Sequence, residues 1–186
     1  MIYSWKTIVR HSILLLAICA LIEIYAGQIL QGNQEALLLL PIFLISIPVV
    51  NSVGGNIGSI LGARLASGLH VGYIEYSIKD KNMQKNFLTA LLLGLITYTT
   101  LAILIYSIAS IGNIQLSVGP MTFISIIVGT GMALIFVISI ISVFTAFWSF
   151  KKGLDPDDMV APVVTTAGDT LGIIFLLSIL GAVGIL

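Results

Sequence analysis

Apolar residues run through the chain in long blocks, and polar residues gather in the gaps between them. The gaps read "QGNQE", "GYIEYSIKDKNMQKN", "IGNIQLSVGP" and "KKGLDPDD". A hydrocarbon core about 30 Å thick takes about 20 helical residues. On that ruler the blocks become five membrane-spanning helices, roughly 8–30, 36–69, 87–110, 119–149 and 158–185. The connections are too short to hold a soluble domain, so residues 1–186 are expected to form a single all-α transmembrane domain. The opening "MIYSWKTIVRHSILLLAICALIEIYAG" has the basic start and apolar stretch of a signal peptide. Its apolar run continues past Glu23 to the length of a full span, and more spans follow, so it is read as the first span.

The second block is too long for one crossing. About 34 residues of continuous helix would reach roughly 50 Å. It is expected to tilt, to extend into the cytoplasm or to break, and Pro41, Pro48 and "NSVGGNIGSILGARLASG" supply grounds for a break. Gly54, Gly58 and Gly62 recur every fourth residue, a small-residue stripe that lets another helix backbone approach closely. Asn51 and Asn56 lie in the same stretch, and amides in hydrocarbon need partners and can serve as oxygen ligands. The fourth block contains Gly119, Gly129 and Gly131, and its interior polar groups are only Ser and Thr, which can bond back to their own helix. It reads as scaffold.

Composition agrees with the pattern. Of the residues, 58% are hydrophobic and 9% charged, against about 25% charged in soluble domains, and the mean hydropathy is +1.13. The expected partner is the lipid bilayer and the expected location is the cell membrane, with several passes. Eight Lys and Arg balance eight Asp and Glu, so nothing in the charge points to nucleic acid. The lone Cys19, inside an apolar run, cannot form an intrachain disulfide and reads as a small core residue.

The positions of the charges are more informative than their sum. Lys6 and Arg10 precede or begin the first span, Lys79, Lys81 and Lys85 fall between the second and third, and Lys151 and Lys152 fall between the fourth and fifth. The other two loops and the C-terminus contain no Lys or Arg. Positively charged loops stay in the cytoplasm, so the N-terminus is expected inside and the C-terminus outside. "FTAFWSFKK" adds an aromatic cluster beside two lysines, suited to the cytoplasmic interface.

Candidate chemistry centres on the fifth span, where "APVVTTAGDTLGIIFLL" carries an acid into an apolar run. Asp169 lies about eleven residues beyond Asp158, or about 16 Å along a helix, close to the bilayer centre. An Asp there costs about 2.5–3.5 kcal/mol on insertion scales, so it normally faces a cavity, a partner or an ion. A protonated Asp169 bonded between helices, or one paired with Arg64, is the structural alternative. Pro162 removes a backbone donor nearby, and Thr165, Thr166 and Gly168 bring hydroxyl oxygens and bare backbone. Mg²⁺ is bound through one or two carboxylates with several retained waters, whose hydrogens need acceptors. Asp169, Thr165, Asn56 and nearby backbone suit such a hydrated ion, with Thr166, Gly55 and Asn51 as secondary members. One carboxylate does not balance a divalent charge, and a two-fold homodimer would supply a second at the same depth.

The remaining acids have two readings each. Asp155, Asp157 and Asp158 sit just before the fifth span, where they either cap a helix or form an ion vestibule. Glu23, about 12 residues into the first span, belongs to an outer entrance or a coupling site, or pairs with a polar group across the bundle. Glu75, His11 and His70 are expected at the interface. No nucleophile and base pair stands out and neither His approaches the central acid, so no enzyme and no organic cofactor is expected.

These residues resemble the MgtE and solute-carrier family 41 group of magnesium transporters. The resemblance rests on "PVVNSVGGNIGSILGARLASG" in the second span and "DPDDMVAPVVTTAGDTLGIIF" leading into the fifth, and covers essentially the whole chain. It implies an MgtE-like transmembrane domain, a homodimer, and an ion pathway formed by the second and fifth helices. It also implies that Asp169 is the central magnesium-binding acid, Asp155 the acid at the cytoplasmic mouth, and Asn56 the Asn of the second-helix Gly-Asn element. Thr165 falls where the family offers a backbone oxygen. MgtE proteins carry a large cytosolic regulatory region before the membrane domain. Here at most about ten residues stand there, so gating of that form is not expected of this chain, and a separate cytosolic regulator is a candidate partner. The animal carriers hold two five-helix units in one chain, which implies a homodimer here, or a heterodimer with a separately encoded half. The leading expectation is divalent-cation transport, most concretely of Mg²⁺. Exchange coupled to Na⁺ or H⁺ through Glu23 is the second, and a non-transporting membrane subunit that uses its Gly stripes for assembly is the third.

Overall fold

The computed structural model describes residues 5–186 and, within its first helix, the side chains of Val9 and of Ser12 onward. The expectations for Lys6, Arg10 and His11 lie outside the described side chains. The described residues form α1 (Trp5–Gly32), α2 (Gln34–Leu38), α3 (Pro41–Val71), α4 (Lys81–Ile111), α5 (Pro120–Lys151) and α6 (Pro156–Ala182). All but α2 are long and apolar enough to cross a membrane, which gives the five expected spans.

The second block does break, and the break stands before Pro41 rather than at the glycines. Leu40 lies outside the helical region at φ −124° and ψ 61°, as the residue before a proline tends to. The short α2 is thereby split from α3, a division that the uniformly apolar "ALLLLP" hides. From Pro41 the helix continues for 31 residues, with Pro48 inside it, or about 46 Å. Pro48 has no N–H to offer the Leu44 carbonyl, but the flanking turns hold the helix together. The third span starts at Lys81 instead of near 87 because Asp80 caps it, accepting from the Met83 N–H at 2.7 Å.

α3 is the centre of the bundle and packs against α4, α5 and α6. Its glycines make this close approach workable. A Cβ at Gly54 would collide with Leu134, one at Gly58 with Ile138 and one at Gly62 with Val160. The expected small-residue stripe is therefore consumed by packing inside the chain. Two buried hydroxyls lock the arrangement: Tyr98 donates to the Val50 carbonyl at 2.8 Å and Ser142 to the Gly58 carbonyl at 2.9 Å. The Ser142 bond differs from the expected back-bonding of the fourth span, because the bare Gly58 backbone comes within its reach. α1 stands apart, touching only α6 and α2 among the described elements. Its outward side chains, among them Leu14, Leu21 and Ile24, are exposed apolar groups suited to lipid.

Candidate functional site

α3 and α6 run antiparallel in a steady register. A Cβ on Gly62 would meet Val160, one on Gly58 Val164, one on Gly55 Thr165, and one on Gly172 Asn51. Gly168 lies in the same seam, where a Cβ would stand 3.0 Å from the Gly55 nitrogen. Bare backbone thus faces bare backbone at this level, and the helices come closer than side chains would allow.

Asn51 closes the seam beside the central acid. It is 5% exposed, and its Nδ2 donates to the main-chain oxygen of Asp169 at 3.0 Å. Its Oδ1 has no donor and lies against Gly172. On the residue before Asn51, the Tyr98 hydroxyl fixes the Val50 carbonyl. The main chain of Asp169 and the α3 backbone facing it are therefore held, while the half-buried Asp169 carboxylate receives no hydrogen bond from the described residues.

Arg64 does not reach that carboxylate. By the seam register it stands opposite the start of α6, about ten residues or roughly 15 Å short of Asp169, exposed in a groove with Ile60, Ala63, Ser67 and Asn86. The structural alternative of an Asp169–Arg64 pair is not realised.

Other expected members are arranged differently. Asn56 is exposed and donates to the Ser52 hydroxyl at 3.3 Å, so it does not touch Asp169 within the chain. The amide at the acid is Asn51. Helical phase could have told them apart, since Asn51 shares the inward stripe of Gly54, Gly58 and Gly62 whereas Asn56 falls off it. Gly55 belongs to the seam. The Thr165 hydroxyl folds back on its own helix, donating to Ala161 O at 2.9 Å and Pro162 O at 3.2 Å. α6 remains helical through Pro162, so no carbonyl is turned out by unwinding, and a Thr165 carbonyl would offer only its second lone pair.

Asp155 caps α6, its Oδ1 accepting from the Asp157 N–H at 3.0 Å, and lies about 21 Å along the helix from Asp169. Capping is thus observed for Asp155, and Asp157 and Asp158 occupy the first turn, where acids suit the helix dipole. The exposed His70 ring bonds the Ala66 carbonyl at 2.8 Å and stands edge-on to Phe150.

One contact has no simple sequence signal. Thr166 is buried, and its hydroxyl donates to Glu23 Oε1 at 3.0 Å, which brings an acid from α1 to the turn before Asp169. Cys19, buried as expected, approaches the Pro162 carbonyl at 3.7 Å one turn further down. Among the described residues no three His, Cys, Asp or Glu side chains converge as a metal cage. What is present is a small number of carboxylates among helix oxygens, an arrangement that suits a cation keeping much of its water.

A family profile described as MgtE, divalent cation transporter, matches residues 47–179. This range includes nearly all of the α3–α6 seam and leaves α1 outside. Solute carrier family 41 member 2 from Gallus gallus is 26% identical over 137 residues, covering 67% of this chain and 24% of that protein. The chain thus spans about a quarter of the length of the curated relative it matches.

Proposed function

The chain belongs to the MgtE family of divalent cation transporters, and on that footing we propose that it moves divalent cations, Mg²⁺ foremost, along the polar seam of α3 and α6, with Asp169 as the group that holds the ion. The observation that carries this reading is the isolation of the Asp169 carboxylate. It sits mid-span, half-buried, with no donor and no basic partner among the described residues. A charge in that position requires a counter-ion or water.

The path is completed by a second copy of the chain. Ser52, Asn56, Ala63, Arg64 and Ser67 lie on the exposed side of α3, and a polar helix face inside a bilayer must be covered by protein or water. A two-fold partner would place the same face opposite and enclose the seam. The assembly-subunit reading is weakened by the glycines, since Gly54, Gly58 and Gly62 already hold Leu134, Ile138 and Val160 of their own chain.

Purified protein in liposomes should load Mg²⁺ above protein-free liposomes, and Asp169→Ala should remove that flux while leaving the protein folded. Equal flux from Asp169→Ala and wild type would remove Asp169 from the path.

A further inference from the structure

A groove of about 820 Å³ opens between α4 and α5 at the end of the bundle that carries the lysines, a volume within the range of small-molecule sites. One wall is a single stripe of α5, where Ile140, Phe144, Trp148 and Lys151 follow one another at helical-turn spacing. Facing it are Met83 and Phe87 of α4 and Tyr76 of the α3–α4 connection, whose ring packs on Phe147 at 5.1 Å. Among the described residues, none of α1, α6 or the polar side of α3 lines it. It therefore lies apart from the seam proposed for the ion and the second copy.

The groove changes character along its length. Ile140 and Lys151 are about 16 Å apart along α5, close to half of a hydrocarbon core about 30 Å thick. The slot is thus one leaflet deep. Its deep end is apolar, and its mouth carries Lys151 beside Tyr76 and Trp148, ring types that favour the headgroup level. The exposed Lys151 ammonium forms no hydrogen bond or ion pair with any described residue. No Asp or Glu is among the described residues that line the groove, and Asp80, the acid nearest in sequence, is engaged with the Met83 N–H as the cap of α4. A free cation at the mouth of an apolar slot complements a ligand with a hydrocarbon tail and a negative head.

We propose that this groove binds an anionic phospholipid of the leaflet on the lysine-bearing side, with an acyl chain along the α5 stripe and the headgroup phosphate on Lys151. Lys79, Lys81, Lys85 and Lys152 lie at the same end of the bundle and add an attraction for that leaflet which is not specific to the groove. A lipid held this way ties the α3–α4 connection to the end of α5. The site stands independently of the ion-holding role of Asp169.

Trp148 reports on the groove directly. Trp5 and Trp148 are the chain's two tryptophans, so a Trp5→Phe background leaves Trp148 as the one fluorophore of its kind. The full chain is placed in phosphatidylcholine vesicles, and quenching is followed as phosphatidylglycerol or phosphatidylcholine with brominated acyl chains replaces the host lipid. Half-quenching should come at an about five-fold lower mole fraction of phosphatidylglycerol, the factor that matches about 1 kcal/mol for one Lys at an anionic headgroup. Lys151→Gln should bring the two curves together, while Lys152→Gln, outside the groove lining, should keep most of their separation. Coincident curves in the starting protein would overturn the site. Equal loss in Lys151→Gln and Lys152→Gln would also overturn it, because the preference would then belong to the surface charge at large. Quenching by neither lipid would show that protein covers the groove, which contradicts a lipid occupant.

Discussion

Asn51 meets Asp169 through the backbone: its amide donates to the main-chain oxygen of the acid at 3.0 Å. The side chain is left out of the contact, so one residue locks the helix while the carboxylate stays available. Asn51→Ala should lower unfolding stability by about 1 kcal/mol, the usual net worth of a hydrogen bond. Asn56→Ala, on the exposed side, should change it little. Thermal unfolding of both variants in detergent checks the pair, and equal losses would contradict the seam geometry.

The glycines of the bundle should separate into two kinds. A methyl group on Gly168 would press on the Gly55 backbone at 3.0 Å, which cannot rotate away. Gly168→Ala should therefore destabilise by about 1–3 kcal/mol, the range for overpacking. A Cβ on Gly129 meets nothing within 4 Å, and Ala is the better helix former by about 0.5–1 kcal/mol. Gly129→Ala should be neutral or stabilising in the same unfolding assay.

Asp155 is a cap in this structure, and its role divides by substitution. Asn is as good at an N-cap as Asp, whereas Ala costs about 1 kcal/mol. Asp155→Asn should hold stability and Asp155→Ala should lower it. If Asp155 also attracts cations at the mouth of the path, Asp155→Asn should reduce Mg²⁺ flux when Mg²⁺ is low on the side that this mouth faces, most visibly at low salt. Unchanged flux across that range would leave capping as its whole role.

The second copy is open to a chemical test. Cys19 is the chain's one cysteine and is buried, so a Cys19→Ala background gives a clean start. Asn56→Cys on the exposed face of α3 should then form a disulfide-linked dimer in membranes, because bridging needs Cα atoms within about 7 Å. Ile103→Cys, on the exposed face of α4, should remain monomeric on denaturing gels. Cross-linking at Ile103 and none at Asn56 would move the interface away from the seam.

The spans were legible because block length against bilayer thickness is a strong signal, and Asp169 stood out because an acid in hydrocarbon is costly. The Gly54–Gly58–Gly62 stripe announced close packing, and the structure adds that its partners are Leu134, Ile138 and Val160 of the same chain. What was hidden depended on rotation or on contacts far apart in sequence. The five-residue step from Asn51 to Asn56 turns the second amide away from the first, so only one can face α6. The break before Pro41 hides in an all-leucine run. Glu23 and Thr166 are 143 positions apart, and no local pattern places α1 against α6 in that register.

The central claim is that the Asp169 charge holds the transported ion. Asp169→Asn keeps the shape of the side chain and the backbone oxygen that Asn51 binds, so folding should be preserved while the charge is lost. The direct measurement is Mg²⁺ uptake into liposomes by this variant beside wild type at matched protein content. Uptake should fall to the level of protein-free liposomes; uptake equal to wild type would contradict ion binding by the Asp169 charge.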